Sequence, residues 1–296
     1  MTTLNQSATQ PNTAIEKREA SAYYKTLVRS GYAPVNGLQM YYEIHGTVSA
    51  RPLVTIHPAW GLANVFPQLC RNRQLIAVEL QGHGRTADID RPLTYEQEAD
   101  DVAALVKHLQ IEQADFFGES IGGIVAVMMA VRHPELVRRV VTYESALMKF
   151  GDVTALKASA DVVSSRTPDD YSVQFQRESY QRVAPDPTRW PTLFDKISRK
   201  TIEWKGFSRD ELKSITAPVL IATGDHGNLG DLLEHMLEMA RLIPNAQLAV
   251  IPDAGHFVLN DDPEKLLPIV ATFLDQPTST VPFATPQTGY HPGVTR

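Results

Sequence analysis

Ala114-Asp115-Phe116-Phe117-Gly118-Glu119-Ser120-Ile121-Gly122-Gly123-Ile124-Val125-Ala126-Val127 is the stretch on which the reading of this chain turns. Its first four residues are a short, mainly apolar run and predict a strand over 114–117. From Ile121 the composition changes to small and aliphatic residues without alternation, which predicts a helix over 121–131, closed by His133-Pro134. The link between the two is Gly118-Glu119-Ser120-Ile121-Gly122. A strand-to-helix turn this tight strains the backbone of its central serine. Glycines two residues before and two after remove side chains that would collide with the neighbouring elements. The hydroxyl is lifted above the sheet, at the positive end of a helix. In isolation a Gly/Ser turn is the simpler reading; the strand–turn–helix context makes Ser120 a candidate nucleophile.

Outward from this turn, strands are expected over 38–45 (after the turn Asn36-Gly37), 53–56, 75–79, 137–143, 219–222 and 247–251. Helices are expected over 95–109, where Ala99, Val102, Leu105, Val106 and Leu109 share a face, and over 263–274. Short apolar runs without polar alternation suit parallel strands covered on both faces. Their alternation with helices predicts an α/β fold with a doubly wound, mostly parallel sheet. Residues 146–215 interrupt the rhythm with helical patterns over 155–165, 171–183 and 191–204, and read as a helical cap over the strand ends. The expected organisation is therefore a core of 31–145 and 216–275, the cap at 146–215, an N-terminal tail and short helix over 1–30 (the helix at 14–28), and a Pro/Thr-rich tail at 276–296.

Composition narrows the function classes. Of 296 residues 43% are apolar and 21% charged, and the net charge is −6. That balance offers no general attraction for nucleic acid or anionic lipid. Cys70 is the only cysteine, so no internal disulfide forms. The first thirty residues lack the apolar segment of a secretory signal, and no run of about 18 apolar residues exists that would span a bilayer. A cytoplasmic protein acting on a small molecule is expected; a homodimer is left open.

A serine hydroxyl needs a general base. His256, in Pro252-Asp253-Ala254-Gly255-His256-Phe257, follows the last apolar strand and precedes the last helix, and is the candidate. His57 and His83 lie in loops that shape the site, and His108 and His133 fall at helix ends. An oxyanion formed at the attacked carbonyl needs two backbone donors. The N–H of Ile121 is one. The second is assigned to Ala59, in His57-Pro58-Ala59-Trp60-Gly61, because Pro58 has no N–H.

The His57-to-Gly61 loop, Leu80-Gln81-Gly82-His83-Gly84, the Ser120 turn and Ala254-Gly255-His256 together resemble the α/β-hydrolase superfamily over about residues 38–274. The resemblance implies the fold and a Ser–His pair but not the substrate, since that superfamily holds esterases, lactonases, C–C hydrolases and perhydrolases. Its epoxide hydrolases and haloalkane dehalogenases use an Asp nucleophile, against which Ser120 speaks. The first loop usually reads His-Gly where this chain has His57-Pro58. Relatives usually carry the acid of the triad as the fourth residue of a G-[D/E]-x-D turn, which here reads Gly224-Asp225-His226-Gly227. Glu144, at the end of the 137–143 strand, is preferred in its place, because some members carry a Glu at that strand end. Asp225, Asp231 or no acid at all are the alternatives. Trp60, Met148, Trp190 and Phe257 are candidate substrate contacts, with Phe175, Phe194 and Trp204 in the cap. The expected activity is hydrolysis of a small to medium apolar ester or lactone through an acyl-enzyme. The alternatives are a non-catalytic ligand-binding sensor on the same scaffold, and a perhydrolase or C–C hydrolase using the same triad. No metal or organic cofactor is implied.

Overall fold

Four-residue runs such as Leu53–Ile56 and Leu75–Val78 form central strands with every side chain buried, as a parallel sheet covered on both faces requires. The computed structural model describes residues 23, 25–48, 51–59, 65–145, 171–226 and 232–277. Among them, eight strands form one sheet: β1 (Leu27–Val35), β2 (Leu38–His45), β3 (Leu53–Ile56), β4 (Leu75–Val78), β5 (Ala114–Glu119), β6 (Val137–Tyr143), β7 (Val219–Gly224) and β8 (Ala246–Ile251). Their order is β1-β2-β4-β3-β5-β6-β7-β8. β1–β2 and β2–β4 pair antiparallel and the rest parallel.

Helices α1 (Tyr95–His108) and α2 (Ile121–Arg132) pack on one face of the sheet, joined there by α6 (Leu232–Leu242). The short α7 (Val258–Asp261) and α8 (Leu267–Asp275) cover the other face. α1 starts where the Thr94 side chain accepts the Gln97 N–H, and has Lys107 and His108 in its last turn. The single helix expected over 263–274 is instead a 3₁₀ turn at Pro263–Lys265 followed by α8. Pro268 explains the break: it is tolerated only in the first turn of a helix, so α8 starts at Leu267.

The expected N-terminal tail needs a larger correction. The helix expected to reach Val28 gives way to strand β1 at Leu27, so the sheet begins before residue 31. β1 alternates exposed and covered residues and pairs with β2 through the two-residue turn Asn36-Gly37, both at positive φ (48° and 85°). Pro34 is compatible with this edge strand.

Between β6 and β7 the described chain forms α3 (Tyr171–Val183), α4 (Trp190–Glu203) and α5 (Arg209–Ser214). The first two match the helices expected over 171–183 and 191–204; the one expected over 155–165 lies outside the described residues. Val173, Tyr180, Trp190, Leu193 and Ile197 bury a small cluster against Leu93 of the core. Polar ties reinforce it. Lys196 Nζ and Arg189 reach the buried Asp88 at 2.8 and 2.7 Å, and the buried Lys200 Nζ pairs with Glu98 of α1 at 2.6 Å.

Candidate active site

β3 lies between β4, which follows it in the chain, and β5, which comes after that. The strand order therefore reverses at the β3/β5 boundary, where open α/β sheets form a crevice at their carboxyl ends. β5 delivers Ser120 to this crevice at φ 54°, ψ −121°, a strained backbone for a residue with a Cβ. The turn is held by the Ser120 N–H donating to Tyr143 O at 2.9 Å. The flanking glycines are required by close approach. A Cβ at Gly118 would stand 2.0 Å from Gly122 O, and one at Gly122 would stand 2.3 Å from Ile56 O and 2.6 Å from His57 O. Gly122 thus lets the first turn of α2 rest on the backbone that leads into the His57 loop. Gly123 N–H and Ile124 N–H donate to Ser120 O at 3.1 and 3.4 Å, while the Ile121 N–H, at the first helical position, has no acceptor within the helix.

His57 is fully buried and straps two loops together. Its Nε2 accepts the Leu80 N–H at 3.1 Å, so its Nδ1 carries the proton and donates to Pro58 O at 2.8 Å. Burial, aided by the charge of Lys200, pushes its pKa down to about 4 and keeps the ring neutral. The His83 ring packs against it at 4.7 Å. Pro58 O and Ala59 N belong to one planar trans peptide, so fixing the carbonyl also fixes the direction of the Ala59 N–H.

Glu144 follows β6 in a left-handed conformation (φ 49°), the second strained non-glycine residue at this edge. Its Oε1 accepts Thr223 Oγ1–H at 2.6 Å and Gly224 N–H at 2.8 Å. Its Oε2 stands 3.7 Å from His256 Nδ1. Burial alone would raise the carboxyl pKa, but the His256 imidazole, the Thr223 hydroxyl and the Gly224 N–H outweigh it and hold the pKa below the ordinary value. His256 comes from the loop after β8, two strands from β6. Gly224 makes this crossing feasible: a Cβ there would stand 2.0 Å from Ala254 O. Asp225 faces elsewhere. It is 43% exposed, pairs with His226 at 2.9 Å and accepts the Ala254 N–H at 3.3 Å.

A family model described as the alpha/beta hydrolase family matches residues 44–269. The chain belongs to the alpha/beta hydrolase family. Among its relatives, a 2-(acetamidomethylene)succinate hydrolase of Mesorhizobium japonicum is 29% identical over 225 residues, 68% of this chain and 78% of that protein. An sn-1-specific diacylglycerol lipase of Danio rerio is 24% identical over 82% of this chain and 83% of its own length. The solved enol-lactonase from Burkholderia xenovorans LB400 superposes with a TM-score of 0.61 at 23% identity, over 83% of this chain and all of that one.

In this alpha/beta hydrolase the structure brings Glu144 and His256 together and sets Ser120 one strand from Glu144, while Asp225 stays outside the pair. Ala59 is half-buried against the core. Phe257 is 54% exposed, its ring edge-on to His256 at 5.2 Å. Trp190, expected to face substrate, is enclosed in the cluster that α3 and α4 form with Leu93, with Tyr180 and Phe194 at 5.7 and 6.0 Å. Trp204 packs between Tyr95 and Phe207. Trp60, Met148, Gly227, Asp231 and the Phe175 side chain lie outside the described residues. The sequence reading missed Thr223 and Gly224 as holders of the acid, and Tyr143, whose hydroxyl donates to Gly255 O at 2.6 Å. A buried hydroxyl at the end of an apolar strand was the available signal, since such groups need a partner. Among the described residues no group of His, Cys, Asp and Glu is arranged to hold a metal ion, and no helix is long and apolar enough to cross a membrane.

Proposed function

We propose that this chain hydrolyses carboxylic esters or lactones of small to medium, mainly apolar character by way of an acyl-enzyme on Ser120. The observation that carries the reading is the strained Ser120 at the β5–α2 turn, since strain of this kind persists where it serves a site. His256 Nε2 takes the hydroxyl proton as Ser120 Oγ attacks the carbonyl carbon. The oxyanion is received by the N–H groups of Ile121 and Ala59. Glu144 keeps the proton on His256 Nδ1 and stabilises the imidazolium as it forms. His256 then protonates the departing alkoxide, and water deacylates Ser120 by the same route. The names of the relatives, a lipase and a lactonase among them, agree with acyl chemistry. The missing acid at Gly227 argued weakly for a non-catalytic sensor, and Glu144 Oε2 at 3.7 Å from His256 Nδ1 supports the catalytic reading in its place.

The test is a panel of p-nitrophenyl esters and lactones, with Ser120→Ala as the blank and mass-spectrometric mapping of a fluorophosphonate adduct. Turnover that depends on Ser120, with the adduct on that residue, is expected. Undiminished turnover by Ser120→Ala would overturn the reading.

A further inference from the structure

We propose that Tyr143 is a positioning residue, one that sets the His256 loop in register with Glu144 and Ser120; the proposal rests on the Glu144–His256 reading above. Three contacts meet at this residue. Its carbonyl accepts the Ser120 N–H at 2.9 Å. Its hydroxyl donates to the carbonyl of Gly255, immediately before His256, at 2.6 Å. Its own peptide leads into the left-handed Glu144.

The need for such a tie follows from topology. The loop bearing His256 leaves β8 and must pass over the end of β7 to reach an acid on β6, a span of about two strand spacings, roughly 10 Å. Gly224 lets it descend, since there is no Cβ to meet Ala254 O. On the near side, Ala254 is held to the β7 turn: its N–H goes to Asp225 and its carbonyl accepts the His226 N–H at 3.0 Å. Tyr143 supplies the far side. The residue is fully buried in the apolar cluster under α8, where phenylalanine would pack as well and would not bury a hydroxyl. The hydroxyl therefore has its use at Gly255, one residue from the imidazole. Because one strand residue fixes the Ser120 backbone and the His256 loop together, a shift of β6 moves nucleophile, acid and base as a unit.

The experiment is Tyr143→Phe, alone and combined with Glu144→Gln, with kcat expressed per Ser120 labelled by a fluorophosphonate. Removing one oxygen preserves the packing, so the variant should fold. Displacement of a catalytic group by a fraction of an ångström lowers kcat by about 10- to 100-fold with KM nearly unchanged. In the Glu144→Gln background the same change should cost under about threefold, because the alignment it protects is already lost. A kcat within about threefold of wild type, or the same loss in both backgrounds, overturns the positioning role while leaving Glu144 as the acid. If Glu144→Gln itself leaves kcat intact, the Glu144 reading fails, and the role of Tyr143 falls with it.

Discussion

Glu144 Oε2 lies 3.7 Å from His256 Nδ1, and neither atom has a hydrogen-bond partner among the described residues. A small rotation of the imidazole closes the bond, and catalytic contacts of this kind commonly tighten when substrate is bound. The other carboxylate oxygen cannot follow, because Thr223 and Gly224 hold it. The end of β7 thus supplies the donors that fix the Glu144 carboxylate just after β6. Glu144→Gln should therefore lower kcat by at least about 10²-fold, scaled from the loss seen when a serine protease's orienting acid is neutralised, whereas Asp225→Asn should cost under about tenfold. Steady-state kinetics at saturating ester would decide, and the reverse order would transfer the acid's role to Asp225.

Gly122 brings the first turn of α2 onto the backbone of Ile56 and His57. A methyl group at 2.3 Å from Ile56 O cannot be accommodated without separating the two segments that carry the Ile121 and Ala59 N–H groups. Gly122→Ala is expected to lower kcat by about 10²-fold or more, the size of losing one oxyanion donor. Gly123→Ala is the control. Its added methyl meets chiefly the hydroxyls of Ser145 and Thr142, at 2.0 and 2.4 Å, with Gly118 O at 3.0 Å, and leaves the Ile56–His57 backbone untouched. If both variants, corrected for folded fraction, lose activity equally, the oxyanion geometry does not depend on this contact.

Strands such as β3 and β4 were legible as unbroken apolar runs, and β2, β3 and β6 have the bounds that composition predicts although β6 carries Arg138 and Arg139 and β2 pairs antiparallel. β1 was not, since Arg29, Ser30, Gly31 and Pro34 obscure its alternation; an edge strand needs only one covered face, and the Asn36-Gly37 turn was its sign. Ser120 and His256 announce themselves through glycine-bearing turns after strands. Thr223, Gly224 and Tyr143 do not, because their roles arise from where β6 and β7 end relative to each other, and register between strands is not written in either strand alone. Trp190 shows the opposite failure. An aromatic residue in a cap can serve packing or substrate equally well in sequence, and here its neighbours are Tyr180, Leu193 and Phe194.

The buried pair of Lys200 on α4 and Glu98 on α1 joins two helices at the cost of burying two charges. Both side chains are 1% exposed and lie 2.6 Å apart. Burial raises the Glu98 pKa, and Lys200 only partly offsets it. Lys200→Met leaves a carboxylate without its counter-charge and should destabilise the fold by about 3–5 kcal/mol. Adding Glu98→Leu should restore most of that loss, since an apolar pair of similar volume is often neutral or better. Thermal unfolding of the single and double variants is the measurement; a double variant no more stable than Lys200→Met would mean that the ion pair itself, not the orphaned charge, holds the helices.

His57 predicts how stability changes with pH. The ring is neutral in the folded chain, with a pKa of about 4, and ordinary in the unfolded chain, near 6.5. The unfolded state thus binds more protons between those values. The stability this residue contributes is complete above pH 6.5 or so, and is lost as pH falls through the interval toward 4. The geometry gives the reason: a proton on Nε2 would face the Leu80 N–H that now donates to it, and the strap between the two loops would break. His57→Gln cannot take up that proton, and its side-chain oxygen can still receive a backbone donor. Its stability deficit relative to the wild type, measured by urea denaturation, should therefore shrink on acidification, by about 2 kcal/mol between pH 7.5 and 5. Burial, together with the neighbouring His57, holds His83 well below its ordinary pKa, so the same comparison in a His83→Gln background separates the two rings. A deficit unchanged across that interval would mean that His57 titrates normally in the folded state, and one that grew would mean that the ring is held protonated; either outcome would remove Nε2 as the acceptor of the Leu80 N–H.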